Sequence, residues 1–293
     1  MHSRRLVLAV VVIAAAQGCK KDAPAAAAPA PAAAAPSELT FSLVPPKVGE
    51  RFANGSSFKM DLEITAQADK DKVSSTMGST ETSAYTVEYL AVEGEGVTKG
   101  KITYQDKKTV DVEDGKAKDA EPSPVVGKTY LASLDGDAVV VTTEAGKKVS
   151  ADEESEVKDD ADFLGKTDPF RTAFPKRPLK VGEAVPELND AIQTLVVDAA
   201  PSDEEPVIKD VKVTLSEDKG EVGVFAIAMT MVTKDDDMDM SVALKGTLEV
   251  RKSDTQLLTM KLDGPITMKK TDDPSVKLEG KGTMSVLMTQ KPL

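Results

Sequence analysis

Apolar and polar residues alternate with a period of two along most of the last seventy residues of the chain. Within each segment the apolar positions share one parity, and polar or charged residues occupy the other. Strict alternation with one polar face is typical of half-buried antiparallel strands. The apolar positions are Phe225, Ile227, Met229 and Met231; Met238, Met240, Val242, Leu244, Leu248 and Val250; Leu258, Met260 and Leu262; and Val276, Leu278, Met284, Val286 and Met288.

Polar clusters separate these segments, with the sequences KDDD, RKSDTQ and KKTDDPS. Such clusters are expected at the turns between strands. A strand of twelve to fifteen residues would span roughly 40–50 Å at about 3.3 Å per residue. Paired strands of this length coil, so the pattern predicts a curved antiparallel sheet.

The first half of the chain carries a related pattern. The sequence PPKVGERF at Pro45–Phe52 resembles RPLKVGEAV at Arg177–Val185, and strand-like segments follow each of them. Apolar side chains again share a face in two of these segments. These are Phe58, Met60, Leu62 and Ile64, and then Tyr85, Val87 and Tyr89. The repeated KVGE predicts two related halves of one body.

Helical signals are few. Residues 151–165 are highly charged and predict a helix or a loop, whereas Leu188, Ile192 and Leu195 recur at helical spacing after Pro186. The predicted fold is therefore mainly β (α+β at most), with long curved antiparallel strands in two related halves and one or two short helices. We expect the β body to cover residues 38–293, with halves of about 38–175 and 176–293.

The N-terminus has the pattern of an export signal. Arg4 and Arg5 precede an eleven-residue apolar stretch, Leu6–Ala16, which is shorter than the roughly 20 residues of a membrane-spanning helix. Small residues then lead to Cys19, the one cysteine of the chain. This arrangement resembles the lipobox of bacterial lipoproteins, which implies that residues 1–18 are removed and that Cys19 is lipidated. A buried core cysteine and a signal peptide without lipidation are the alternatives.

Residues 19–37 predict a lipidated cysteine followed by a disordered linker, because Pro24, Pro29, Pro31 and Pro36 interrupt the alanines. A stretched linker would reach about 45 Å from the membrane. In the lipoproteins that this N-terminus resembles, Lys20 after the cysteine implies the outer membrane. We expect a periplasm-facing protein that contacts the membrane through its lipid.

The net charge and the scarcity of histidine disfavour several classes of function. Without Arg4 and Arg5 the chain has 35 basic and 49 acidic side chains, a net charge of −14, which disfavours binding to nucleic acid. The one histidine, His2, lies in the predicted signal peptide. The mature chain therefore lacks the usual general base and the usual zinc or haem ligands. We expect no enzymatic activity, no cofactor and no metal site; an enzyme that uses carboxylates is a distant alternative.

The lipobox, the linker, the repeated P-x-K-V-G-E segments and the long strands together resemble a group of bacterial envelope lipoproteins. More loosely, the predicted curved sheet resembles the LolA-like family of periplasmic lipoprotein carriers. In that family the concave face of the sheet holds acyl chains. This resemblance implies a surface for a lipid, a lipoprotein or another apolar ligand of the envelope.

Methionines are frequent on the predicted apolar faces: Met229, Met231, Met238, Met240, Met260, Met284 and Met288. Methionine adapts its shape, so these residues are candidates for an apolar-ligand face. Ordinary core packing and a thioether cluster for Cu(I) are the other interpretations. The sequence thus favours a non-enzymatic protein that binds an apolar ligand. The alternative is a structural or protein-interaction lipoprotein with a filled β core.

Overall fold

The computed structural model describes residues 38–68, 71–198, 206–235, 238–270 and 276–293. The predicted signal peptide, Cys19 and the linker lie outside these residues. So do residues 236–237 and 271–275, on which the predicted KDDD and KKTDDPS turns largely fall. The third predicted turn is described, and it connects two strands at residues 252–256.

The chain is mainly β, as predicted. The helices are α1 Ala151–Asp160, α2 Pro169–Ala173 and α3 Asn189–Asp198, and a 3₁₀ turn, Pro186–Leu188, precedes α3. The strands are β1 Glu38–Leu39, β2 Arg51–Ala68, β3 Asp71–Glu93, β4 Gly96–Glu113, β5 Lys116–Ala117, β6 Glu121–Pro122, β7 Thr129–Asp135, β8 Ala138–Thr143, β9 Leu179–Lys180, β10 Val207–Asp218, β11 Val222–Asp235, β12 Met238–Arg251, β13 Leu257–Lys270 and β14 Val276–Pro292.

Two helices correspond to predicted ones, α1 within 151–165 and α3 after Pro186, and α2 is additional. Its five residues are too few to give a helical repeat in the sequence. Asp168 starts this helix, because its carboxylate accepts hydrogen bonds from the backbone N–H of Phe170 at 2.9 Å and of Arg171 at 3.3 Å.

Twelve strands form one antiparallel sheet in the order β10-β11-β12-β13-β14-β2-β3-β4-β7-β8, with β5 and β6 paired to β4. The strands β1 and β9 form a separate pair. The centre of the large sheet is the contact between β14 and β2, which pairs Pro292 with Phe52 and Val276 with Ala68. Strands from both predicted halves thus lie side by side in one sheet.

Alternation of the side chains is confirmed on the inner face of the sheet. Phe225, Ile227, Met229 and Met231 of β11 are all buried, whereas Ala226 between them is exposed. The same inner face continues through β2 into β3, because Phe52 lies opposite Val87 in the register of these two strands.

Buried side chains on this face form two separate clusters. The C-terminal core joins β10–β14 and β2 to α2 and α3; its fully buried large members are Leu39, Leu179, Leu188, Ile192, Leu215, Phe225, Leu244, Leu248 and Met260. The N-terminal core joins β3, β4, β7 and β8 to α1. Its buried members are Val87, Val97, Ile102, Tyr104, Val125, Tyr130, Ala132, Val141, Val149, Val157, Ala161 and Leu164.

Three glycines on the inner face let the sheet bend over the C-terminal core. A Cβ atom on Gly246 would lie 1.8 Å from the carbonyl oxygen of Lys261 on the next strand. The corresponding distances are 2.1 Å from Gly264 to the carbonyl oxygen of Ala243 and 1.9 Å from Gly282 to that of Asp61. Glycine inside a strand often marks such a close approach of backbones.

The two KVGE segments adopt the same turn. Glu50 and Glu183 each donate a backbone hydrogen bond to the lysine carbonyl three residues earlier, at 3.2 and 2.9 Å, and each carboxylate accepts from that lysine's backbone N–H. The central glycines have φ of 86° and 89°, which favours glycine. Each turn also exchanges two backbone hydrogen bonds with one strand residue, Tyr89 of β3 or Leu215 of β10.

Candidate functional site

A cavity of about 1080 Å³ lies between the two cores, at the end of the sheet where β2 begins. Its floor is the inner face of three neighbouring strands, β14, β2 and β3. The opposite wall consists of residues from α2, α3 and the segment 160–168. Exposed residues such as Lys166 and Leu293 also border the cavity, so it opens to solvent.

Aromatic rings are concentrated around this cavity. Five of the eleven aromatic residues of the chain line it: Phe52, Tyr85, Tyr89, Phe163 and Phe170. Phe52, Tyr89 and Phe163 form a continuous row, with ring centroids 5.3 and 5.7 Å apart. The row joins β2, β3 and the segment after α1, so it forms an apolar wall across three elements.

The two tyrosines of the cavity are uncharged at neutral pH. Burial raises the pKa of Tyr89 to about 12, although the nearby Arg171 guanidinium acts in the opposite direction. Burial also raises the pKa of Tyr85, and the carboxylates of Asp160 and Asp162 add to this effect. Both hydroxyl groups therefore keep their protons and can donate hydrogen bonds.

A row of polar side chains crosses the floor of the cavity. Arg251 binds the carboxylate of Asp254 and donates to the side-chain oxygen of Gln256. Gln256 donates to Gln290 at 2.9 Å, and Gln290 donates to the side-chain oxygen of Asn54 at 3.1 Å. The row connects the end of β12 to β14 and β2, and all five residues line the cavity.

Acidic residues of α1 hold the wall of the cavity to the sheet. Asp160 accepts hydrogen bonds from the Tyr104 hydroxyl and the Lys107 ammonium, both at 2.9 Å. The same ammonium lies 3.6 Å from Glu156, whose carboxylate also accepts from the Ser123 hydroxyl. These two carboxylates are thus engaged by residues of β4 and of the loop after β6, and the arrangement fixes α1 on the N-terminal core.

The predicted methionine face lies mostly inside the protein. Met229, Met231, Met260 and Met284 are buried in the C-terminal core, and Met240 and Met288 are half-buried against it. The side chain of Met238 lies outside the described part of the structure. Of the seven, Met288 borders the cavity. The structure therefore brings four of these methionines together as core.

Sequence reasoning missed the aromatic wall, although part of its signal was visible. Tyr85, Val87 and Tyr89 were expected on one face of a strand, and all three line the cavity. Phe52 and Phe163 are distant in sequence and meet Tyr89 through tertiary packing, whereas the ring of Phe170 packs on Phe174. In a chain with 4% aromatic residues, that scarcity was a usable hint of a special location.

Two features are absent from the described residues. Within them, no group of three or more histidine, cysteine, aspartate or glutamate side chains is placed to hold a metal ion. No helix of this part of the chain is long and apolar enough to cross a membrane.

Comparisons with known proteins found no matching family model and no matching curated protein. Among solved structures, the chain is similar to one described as showing lipid–protein interactions in lipovitellin, with a TM-score of 0.33 and 8% sequence identity. The match covers 84% of this chain but 26% of the other. A likeness at this level does not establish a common fold.

Proposed function

We propose that this protein is a lipid-anchored, periplasm-facing envelope protein that binds a single-chain amphiphile in the cavity between its two cores. The observation that carries the proposal is the unfilled space of about 1080 Å³ beside a closely packed interior. Ligand pockets typically enclose about 300–1,000 Å³, so this space is large enough for a small lipid.

The lining favours an elongated ligand with one polar end. Aromatic rings form one wall, and Leu195, Leu257 and Met288 add aliphatic surface. Charged side chains such as Glu50 and Lys166 lie where the cavity meets solvent. An apolar chain bound against such walls is removed from water, which stabilises the complex by about 25 cal/mol for each Å² of apolar surface buried.

The proposal assigns no catalysis to the cavity. Asp160, one of the carboxylates that line the cavity, is already bound by Tyr104 and Lys107. His2 lies in the predicted signal peptide, so the mature chain has no imidazole to act as a general base near neutral pH.

A titration with a dansyl-labelled fatty acid tests the ligand class. The mature chain carrying Cys19→Ser, which cannot be lipidated, avoids the need for detergent. We expect saturable binding that Leu195→Trp weakens at least about tenfold, since the larger ring occupies cavity space. Gln193→Trp is the matched control, because Gln193 is exposed on the same helix and does not line the cavity. Equal binding by both variants, or none by the parent chain, would refute the proposal.

The second candidate function is a structural or protein-interaction role. The filled C-terminal core favours it, because four of the predicted ligand-facing methionines are used for packing. In that case the cavity would hold water, and the labelled fatty acid would bind neither the parent chain nor the variants.

The membrane anchor is tested separately from the cavity. We expect full-length protein to sediment with outer membranes and to carry a diacylglyceryl group and an amide-linked acyl chain on Cys19. Cys19→Ser should release it into the soluble periplasmic fraction, because stable anchoring needs about two acyl chains. Recovery of the variant with the membrane would contradict this part of the proposal.

A further inference from the structure

The row of polar side chains in the cavity floor has a fixed direction. A guanidinium group has donors and no acceptor, so Arg251 must face the side-chain oxygen of Gln256. The amide nitrogen of Gln256 is then left to donate to the oxygen of Gln290. For the same reason the nitrogen of Gln290 must donate to the oxygen of Asn54.

The direction of the row decides which group Asn54 presents to the cavity. Its oxygen is occupied by Gln290, so its amide nitrogen, with two N–H donors, is the free end of the row. Within the described residues, this nitrogen makes no hydrogen bond. Asn54 lines the cavity and lies opposite Tyr85, whose protonated hydroxyl can also donate.

We infer that the cavity selects ligands whose polar end carries an oxygen acceptor, namely acyl compounds with a carboxylate or ester carbonyl group. The Asn54 amide donates to that oxygen, and the row from Arg251 holds the amide in this orientation. An alkylamine of the same length brings a donor to a donor and is rejected. This inference rests on the proposed function and specifies the ligand's polar end.

The selection between ligands should be strong because the amide nitrogen of Asn54 is a donor without a partner among the described residues. A ligand without an acceptor leaves the amide nitrogen of Asn54 desolvated and unpaired when the cavity fills. Leaving a buried donor unpaired lowers affinity about tenfold or more. The aromatic wall binds the chain of either ligand equally, so the difference reports on the polar end alone.

Binding is measured by displacement of the dansyl-labelled fatty acid from the mature Cys19→Ser chain. The competitors have equal chain lengths: a fatty acid, its methyl ester, and the corresponding alkylamine. We expect the acid and the ester to compete at least about tenfold better than the amine. A preference for the acid over the ester identifies a free carboxylate as the group recognised, and equal competition identifies the carbonyl oxygen.

The decisive variant is Asn54→Asp, which replaces the donor by acceptors at nearly constant shape. It should reverse the preference, so that the amine competes better than the acid. Gln67→Glu is the matched control, since it makes the same amide-to-acid change on the exposed outer face of β2. It should leave the preference unchanged.

Gln290→Glu tests the row itself and replaces Asn54→Asp if that variant does not fold. The carboxylate that it introduces cannot donate, so Asn54 must rotate to donate to it and then presents its oxygen to the cavity. This variant should also reverse the preference. If the acid, the ester and the amine compete equally in the parent chain and the variants, the inference fails while the amphiphile cavity stands. If the labelled fatty acid does not bind at all, the proposed function fails first.

Discussion

The two cores on the inner face of the sheet are packed from different side chains. The C-terminal core contains Met229, Met231, Met260 and Met284, and no described methionine belongs to the N-terminal core. All four tyrosines of the chain are in or against the N-terminal core, where two of their hydroxyls bind carboxylates of α1. Flexible thioethers adapt to the space that they fill, whereas rigid rings with polar ends do not.

This difference distinguishes the two sides of the cavity. On one side of β2 the interior combines buried methionines with phenylalanine rings, and on the other side tyrosine hydroxyls join the core to α1. The cavity lies where these two ways of packing meet, and the aromatic row of Phe52, Tyr89 and Phe163 faces it. Four comparisons of variants test this account, from the largest expected effect to the smallest.

The largest effect is expected where the sheet bends over the C-terminal core. Gly264→Ala places a Cβ atom 2.1 Å from the carbonyl oxygen of Ala243, so neighbouring strands must separate. We expect the free energy of unfolding to fall by about 3 kcal/mol or more in urea denaturation. Gly96→Ala is the control, since its nearest non-neighbouring atom lies 3.7 Å away, and it should change stability by less than about 0.5 kcal/mol. Similar values for both variants would mean that the close approach is not a constraint.

A methionine in the C-terminal core and one beside the cavity should differ in their contribution to stability. Met260 is fully buried, so Met260→Ala should lower the free energy of unfolding by about 2–5 kcal/mol. Met288 is half-buried and borders existing empty space. We expect Met288→Ala to cost about 1 kcal/mol, because it creates little new cavity. Thermal and urea unfolding of the pair measure the difference, and equal losses would argue that Met288 is ordinary core.

The contribution of a tyrosine hydroxyl to stability should likewise depend on its position, in the N-terminal core or beside the cavity. Tyr104→Phe removes a hydrogen bond of 2.9 Å to the carboxylate of Asp160, and we expect a loss of about 1.5 kcal/mol in the free energy of unfolding. Tyr89 lines the cavity and its hydroxyl makes no hydrogen bond within the described residues, so the change from Tyr89→Phe should stay below about 0.5 kcal/mol. A larger loss from Tyr89→Phe would show that its hydroxyl has a structural partner.

The smallest effect concerns acid stability of the N-terminal core. Hydrogen bonds from Lys128, Ser150 and Tyr130 lower the pKa of Glu153 from 4.5 to about 2. A group with a lowered pKa stabilises the fold above its ordinary pKa, and this contribution is lost as the pH falls toward 2. The stability difference between the parent chain and Glu153→Gln should therefore be constant above about pH 5 and shrink toward pH 2. Urea denaturation at several pH values measures it, and a difference independent of pH would contradict the assignment.

Features that depend on neighbours in sequence were predictable. The alternation that identified Phe225 to Met231 as one buried face is a property of any strand, and the KVGE repeat corresponds to two turns with the same hydrogen bonds. Whether those turns descend from a duplication of the two halves stays a prediction.

Features that depend on distant pairing were not predictable. No short stretch of sequence indicates that β14 pairs with β2. The cavity floor depends on that pairing, because it is built from both strands. The sequence could place methionines on an apolar face, but it could not show that α2 and α3 close over that face. The aromatic wall likewise requires Phe52 and Phe163 to meet Tyr89 through tertiary contacts.

The pairing of β14 with β2 also sets an order of events during folding. The hydrogen bond from Gln290 to Asn54 joins residues 236 positions apart, and it crosses the floor of the cavity. Contacts between such distant residues form late and slowly, because a long loop must close first. In a chain that folds from its N-terminus, β2 would thus pair with β3 but lack its other neighbour until β14 is in place. Binding at the proposed site would then report that folding is complete, and until that point β2 would expose a long unpaired strand edge.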